Sequence, residues 1–173
     1  MQVKKKRAKA YKPRTISLNA MKVATNRQSI LTDTEKAPLL VEARGALERL
    51  RTGRLDHQSW SYLADAANVG EALSIGGICS DAPSMAILIK MQLALKAIAE
   101  RVNGRGIWSA KGTELVAITE GLERHELQLE FCSLNELRVA VDKFKRNVRA
   151  AREGRMSAVT IVAPSFDREL EAA

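Results

Sequence analysis

The stretch TELVAITEGLERHELQLEFCSLNELRVAVDKFKRNVRAARE, residues 113–153, decides how this chain folds. It has no proline, and its only glycine is Gly121. Leu115, Ile118, Leu122, His125, Leu129 and Cys132 alternate steps of three and four, the mark of one buried helical face. Leu134, Leu137, Val141, Phe144, Val148 and Ala151 repeat the pattern in a second register. The step between registers, Leu129 to Leu134, is five, and Ser133 with Glu136 has capping-box spacing there. The segment is therefore two helices meeting near Ser133, or one long helix with a phase slip. The absence of any breaker favours one long helix, bent or rewound near Ser133, whose halves pack on different partners.

Working outward, three more helices are expected. The first runs from about Thr32 to Thr52. Thr32 and Glu35 form a capping-box pair, Leu39, Leu40, Ala43, Ala46, Leu47 and Leu50 form an apolar stripe, and Gly53 is the stop. Pro38 leaves its start loose. The second follows Asp56 as N-cap, buries Trp60, Leu63, Ala64, Ala67, Ala72 and Leu73, and ends at Gly76-Gly77. A helix-turn-helix over Trp60–Ile78 would need Asn68-Val69-Gly70 as its turn. The apolar position expected in its second helix is out of phase at Ile75, and Gly76-Gly77 cuts off a recognition helix, so a continuous core helix fits better. The third runs from Asp81 or Pro83 to Val102, with Met85, Leu88, Met91, Leu95, Ile98 and Val102 as a core stripe, and Asn103-Gly104 ends it.

Only 4% of residues are aromatic, and Ala, Leu and Val carry the apolar content, which favours helix over sheet. The expected class is all-α: a small bundle of about four helices with one long C-terminal helix. The domain layout is a disordered basic arm at 1–15, a helical domain at 16–155 and a peripheral tail at 156–173. With 173 residues the chain can bury a core without metal or disulfide. Cys79 and Cys132 have no metal-ligand spacing, so reduced thiols in an intracellular setting are expected. The most apolar run, Met85–Ala99, is interrupted by Lys90, Gln92 and Lys96, and no membrane span or secretory leader is expected.

The net charge of +8 is unevenly placed. Residues 1–32 hold nine bases, Lys4, Lys5, Lys6, Arg7, Lys9, Lys12, Arg14, Lys22 and Arg27, and no acid. The other 141 residues hold nineteen bases against twenty acids. A block of like charge repels itself and buries little, so residues 1–15 are expected to be disordered when free. Pro13 blocks a helix through Tyr11–Arg14. Seven bases, Lys4, Lys5, Lys6, Arg7, Lys9, Lys12 and Arg14, could neutralise several phosphates with a steep salt dependence. A second row, Arg138, Lys145, Arg149 and Arg152, falls on one helical stripe at steps of seven, four and three, with Asp142 at its edge. Such a row can track a phosphate backbone, and cations near a helix C-terminus also offset its dipole.

No phosphate-cradling loop, nucleophile elbow or metal-binding histidine pair is present. His125 sits in an apolar stripe, where a core imidazole is the usual case. A zinc site of His57, Cys79, His125 and Cys132 is not demanded by any spacing. Glu123, Glu126 and Glu130 fit a solvated helix face better than a paired-carboxylate site. No catalytic residue, cofactor or metal is expected.

Tyr11-Lys12-Pro13-Arg14 after a lysine-rich start, Leu63-Ala64 with Asn68, and Glu114-Leu115 with His125, Gln128 and Leu129 give the chain its layout. That layout resembles small uncharacterised helical proteins encoded by phages and prophages of proteobacteria. The resemblance implies an accessory, non-enzymatic role in the cytoplasm of a bacterial host cell. The expected partner is nucleic acid of unspecified type, held by the arm and the helical stripe. The competing expectation is a helical module that binds a host protein, with apolar or aromatic surface exposed around Trp60, Tyr62 or Trp108. A third is a virion-assembly component that self-associates as a homo-oligomer.

Overall fold

The computed structural model describes residues 29–155. The expected arm at 1–15 and tail at 156–173 lie outside these residues. Among the described residues the fold is all-α, with five helices: α1 (Asp33–Arg51), α2 (His57–Ile75), α3 (Ala82–Arg105), α4 (Gly112–Phe131) and α5 (Leu134–Arg152).

The helix ends follow from local chemistry. Thr32 and Glu35 close a capping box at α1, and Gly53 follows it in the left-handed region at φ +68°. Pro38 is carried inside α1 on its exposed side. Asp56 and Asp81 cap α2 and α3 by accepting from the Ser59 and Ser84 amides at 2.7 and 2.9 Å. α3 runs through Asn103-Gly104 to Arg105, and Gly106, at φ +66°, stops it. Asn68-Val69-Gly70 is no turn; it lies in the middle of a continuous α2.

The expected long C-terminal helix is two helices, so the bundle has five rather than about four. Cys132 and Ser133 are both extended, with ψ of 147° and 160°. The Ser133 amide donates to the Glu136 carboxylate at 2.7 Å, and Ser133 Oγ accepts from the Glu136 amide at 3.3 Å. A five-residue step rotates the apolar face by roughly 140° on a continuous helix, so both faces could not be buried without a break. The break is also tied from outside. Leu31 N–H donates to the Cys132 carbonyl at 3.1 Å, and Ile30 and Ser133 form an isolated antiparallel bridge. Ser133→Ala is expected to cost about 1 kcal/mol of stability by urea denaturation; unchanged stability would contradict this capping role.

α2 packs against all four other helices, and α5 makes its close backbone approach to α2. One core cluster joins α1–α4 around Trp60, Leu63, Met91, Leu95, Ile98 and Ile118. A second, around Leu31, Leu73, Leu129, Cys132 and Ala140, receives Leu137, Val141 and Phe144 of α5. By length and composition α3 could cross a membrane. Its Leu88, Met91, Leu95, Ile98 and Val102 are buried in the bundle. Small residues set the closest helix approaches. A Cβ at Gly121 would lie 2.5 Å from Met91 Cβ, and one at Gly70 2.9 Å from Leu88 Cδ2.

Candidate nucleic-acid interface

α5 presents Arg138, Lys145, Arg149 and Arg152 on its exposed side, as their spacing predicts. The helix is docked by the adjoining side: Ala140 is buried, and Leu137, Val141 and Phe144 are half-buried against α2 and its neighbours. The apolar stripe therefore fixes which way the cations point. Arg138 and Arg152 stand about 21 Å apart along the helix axis, at 1.5 Å per residue. Arg146 is also exposed, and Lys143 is half-buried on the other flank beside Gly76 and Ile78. Spacing alone did not single out these two, because they lie off the stripe and exposure depends on how narrow the contact with α2 is.

Electrostatics sets this segment apart. Residues 138–155 carry seven bases against two acids, and residues 29–137 carry eleven against fifteen. The near-neutral body is thus a cationic segment set on an anionic remainder. Among the described residues, the side chains of Arg138, Lys143, Lys145, Arg146, Arg149 and Arg152 make no ion pair or hydrogen bond. Elsewhere several bases are committed. Arg101 bonds Glu114 through two nitrogens at 2.5 and 2.8 Å, and Arg44 bonds Glu126 likewise at 2.7 and 2.8 Å. Lys36, only 6% exposed, is held by Glu130 at 2.5 Å and Asp33 at 2.9 Å. Those carboxylates, Glu130 first, keep its ammonium above the ordinary lysine range. So Glu126 and Glu130 are struts between α4 and α1 rather than a solvated face.

No protein-family model, curated protein or solved structure matches the chain. The described residues behind the expected resemblance are largely core: Leu63, Ala64, Asn68, His125, Gln128 and Leu129 are all buried. Asn68 accepts from Gln92 Nε2 at 3.2 Å, and Gln128 Nε2 donates to Ser74 Oγ at 2.7 Å and the Gly70 carbonyl at 3.0 Å. The residues expected at a protein-docking surface are also placed differently. Trp60 is fully buried, with its indole N–H donating to the Leu95 carbonyl at 3.0 Å. Tyr62 and Trp108 are half-buried against the same core.

The two histidines are not gathered with the cysteines. His57 meets Trp108 edge-on at 6.4 Å between centroids. Among the described residues no three His, Cys, Asp or Glu side chains are clustered as for a metal. Burial pushes the Cys132 thiol up to about 11, with the Glu136 charge adding to the effect. His125 borders a cavity of about 160 Å³ between α1, α2, α4 and α5, with Leu39, Glu42, Tyr62, Asp65 and Leu137 among its walls. Among the described residues His125 Nδ1 and Gln128 Oε1 have no aligned hydrogen-bond partner, and both face Gly70. Burial lowers the imidazole to about 4, partly opposed by Gln128.

That depression has a sign. The unfolded chain takes up the imidazole proton near pH 6.5 and the folded one only near 4. The unfolded state binds more protons between these values, so stability is full above pH 6.5 and falls as pH drops toward 4. Between pH 7 and pH 5 the loss is expected to be about 2 kcal/mol. Asp65, raised by burial, acts in the opposite sense, and His125→Gln isolates the imidazole. Urea denaturation of both proteins at the two pH values checks this; equal losses would contradict the assignment.

Proposed function

We propose that the protein is a non-enzymatic, cytoplasmic accessory protein that binds nucleic acid through the exposed cationic side of α5 together with the basic arm. The observation that carries the proposal is the group of six α5 bases that make no ion pair or hydrogen bond among the described residues, on a helix docked by its apolar side. A rigid row of Arg and Lys neutralises consecutive phosphates, and each contact releases condensed counterions. The row supplies affinity, not sequence readout. The arm bases Lys4, Lys5, Lys6, Arg7, Lys9, Lys12 and Arg14, which lie outside the described residues, would add further phosphate contacts of the same kind.

The test is a salt titration of binding to duplex DNA and RNA, with and without the seven arm bases replaced by glutamine. Binding at low salt is expected to weaken steeply as salt rises, and neutralising the arm to flatten that dependence. Absence of binding at low salt would overturn the proposal. One observation favours a second reading, a protein-docking module. Ile30, Phe131 and Leu134 are 58%, 59% and 42% exposed around the Ile30–Ser133 bridge. Partners that persist in pull-downs after nuclease treatment would favour it.

A further inference from the structure

We infer that the cavity beside His125 binds a small apolar amine in its protonated form, with the ammonium held at Glu42 and Asp65 and the carbon body between α1, α2, α4 and α5. The inference goes beyond nucleic-acid binding and does not depend on it. It begins from the walls. Ala43, Ala66, Val69 and Leu129 are buried and give an apolar floor, and Leu137 and Val141 of α5 complete the apolar lining. The volume is about 160 Å³, enough for a benzene ring.

The polar groups on this lining are of one kind. Glu42 of α1 and Asp65 of α2 are exposed, and neither makes an ion pair or hydrogen bond among the described residues. Among the described residues no base lines the cavity beside them. Burial raises the Asp65 carboxyl above its ordinary range, with no neighbouring cation to offset it.

His125, only 6% exposed, supplies the third group. Gln128 Nε2 donates to Ser74 Oγ at 2.7 Å and to the Gly70 carbonyl at 3.0 Å, so Oε1 is the Gln128 atom turned to the imidazole. Burial keeps the ring neutral at neutral pH, and the Gln128 oxygen favours its one proton on Nδ1. Nε2 is then a bare lone pair on the ring edge left to the cavity. It accepts no hydrogen bond among the described residues.

The cavity thus offers acceptors without donors, set in apolar walls. Its complement is a positively charged donor on a compact carbon body. An ammonium brings three N–H donors and the charge opposite to two carboxylates. An anion would face like charge, and a neutral alcohol would leave both carboxylates uncompensated.

The test titrates benzylammonium, benzyl alcohol and benzoate, probes of similar size, into the full chain with isotope-labelled Leu and Val methyl groups. Benzylammonium is expected to bind saturably with Kd of about a millimolar or tighter, moving the methyls of Val69, Leu129, Leu137 and Val141. Benzyl alcohol is expected to bind at least about ten-fold more weakly, and benzoate not at all. Glu42→Gln combined with Asp65→Asn is expected to bring benzylammonium down to the affinity of the alcohol. Both side chains are exposed and unpaired among the described residues, so the fold should survive, and the methyl spectrum reports it directly. Absence of saturable benzylammonium binding, perturbation confined to methyls away from the cavity, equal affinity for amine and alcohol, or a double variant that keeps the amine's affinity would each overturn the inference. None of these outcomes bears on nucleic-acid binding.

Discussion

Changing Arg138, Lys145, Arg149 and Arg152 to glutamine is expected to weaken duplex binding by a thousand-fold or more near 0.1 M salt, on the order of 10³ to 10⁴, and to reduce the slope of log K against log salt by about 3 to 4. The magnitude follows from counterion release, about 0.9 in slope for each phosphate no longer neutralised. The fold should survive, because these four side chains make no ion pair or hydrogen bond among the described residues and are exposed. A matched control is available on the remainder of the body. Arg54, Lys90, Lys96 and Arg105 are exposed and make no ion pair or side-chain hydrogen bond among the described residues. Their replacement by glutamine is expected to leave the slope nearly unchanged. Equal effects from both sets would mean that net charge alone, and not the α5 row, determines binding. Isothermal titration across a salt series separates these outcomes.

Trp60→Ala is expected to destabilise the protein by about 3 to 5 kcal/mol and to lower Tm by roughly 10 °C or more. Trp60 is fully buried among Leu63, Met91, Leu95 and their neighbours, and its indole N–H is satisfied by the Leu95 carbonyl. Truncation leaves a cavity at the junction of α2 and α3 and removes the indole hydrogen bond to the Leu95 carbonyl. Trp60→Phe keeps most of the volume and loses only the hydrogen bond, so a smaller loss is expected. Calorimetry of both variants decides between a core residue and a surface anchor: an anchor would tolerate alanine with little change in Tm. Duplex affinity measured well below the transition should be the same for Trp60→Phe as for the natural chain.

Periodicity made four of the five buried faces legible, because a stripe at steps of three and four has to be covered whatever covers it. The stripes of α2 and α3 are core nearly residue for residue. Leu39 departs from its stripe and is 45% exposed, because α1 buries a narrower face than its leucines suggest. The α4–α5 break was written in the Ser133–Glu136 pair and in the five-residue step. The lack of glycine and proline argued the other way, and the deciding partner, the Leu31 amide on the Cys132 carbonyl, lies about a hundred residues away. No local pattern reports such a contact. The same holds for Lys36 and Glu130, and for Arg44 and Glu126, which read as solvated charges until α1 and α4 are set side by side. Of the candidate interface, the row of bases was legible from helical spacing. What was not legible was that these bases make no ion pair or hydrogen bond among the described residues, or that Ile30 and Leu31 pair with Ser133 and Cys132 at the head of this helix.

The most direct measurement is NMR of the arginine Nε–H groups while a duplex of about 20 base pairs is titrated in at low salt. The expected result is selective perturbation of Arg138, Arg149 and Arg152, with Arg51, Arg54 and Arg105 unmoved, reversed by added salt. Perturbation confined to arginines outside α5, or none anywhere at low salt, would contradict phosphate binding by the α5 row.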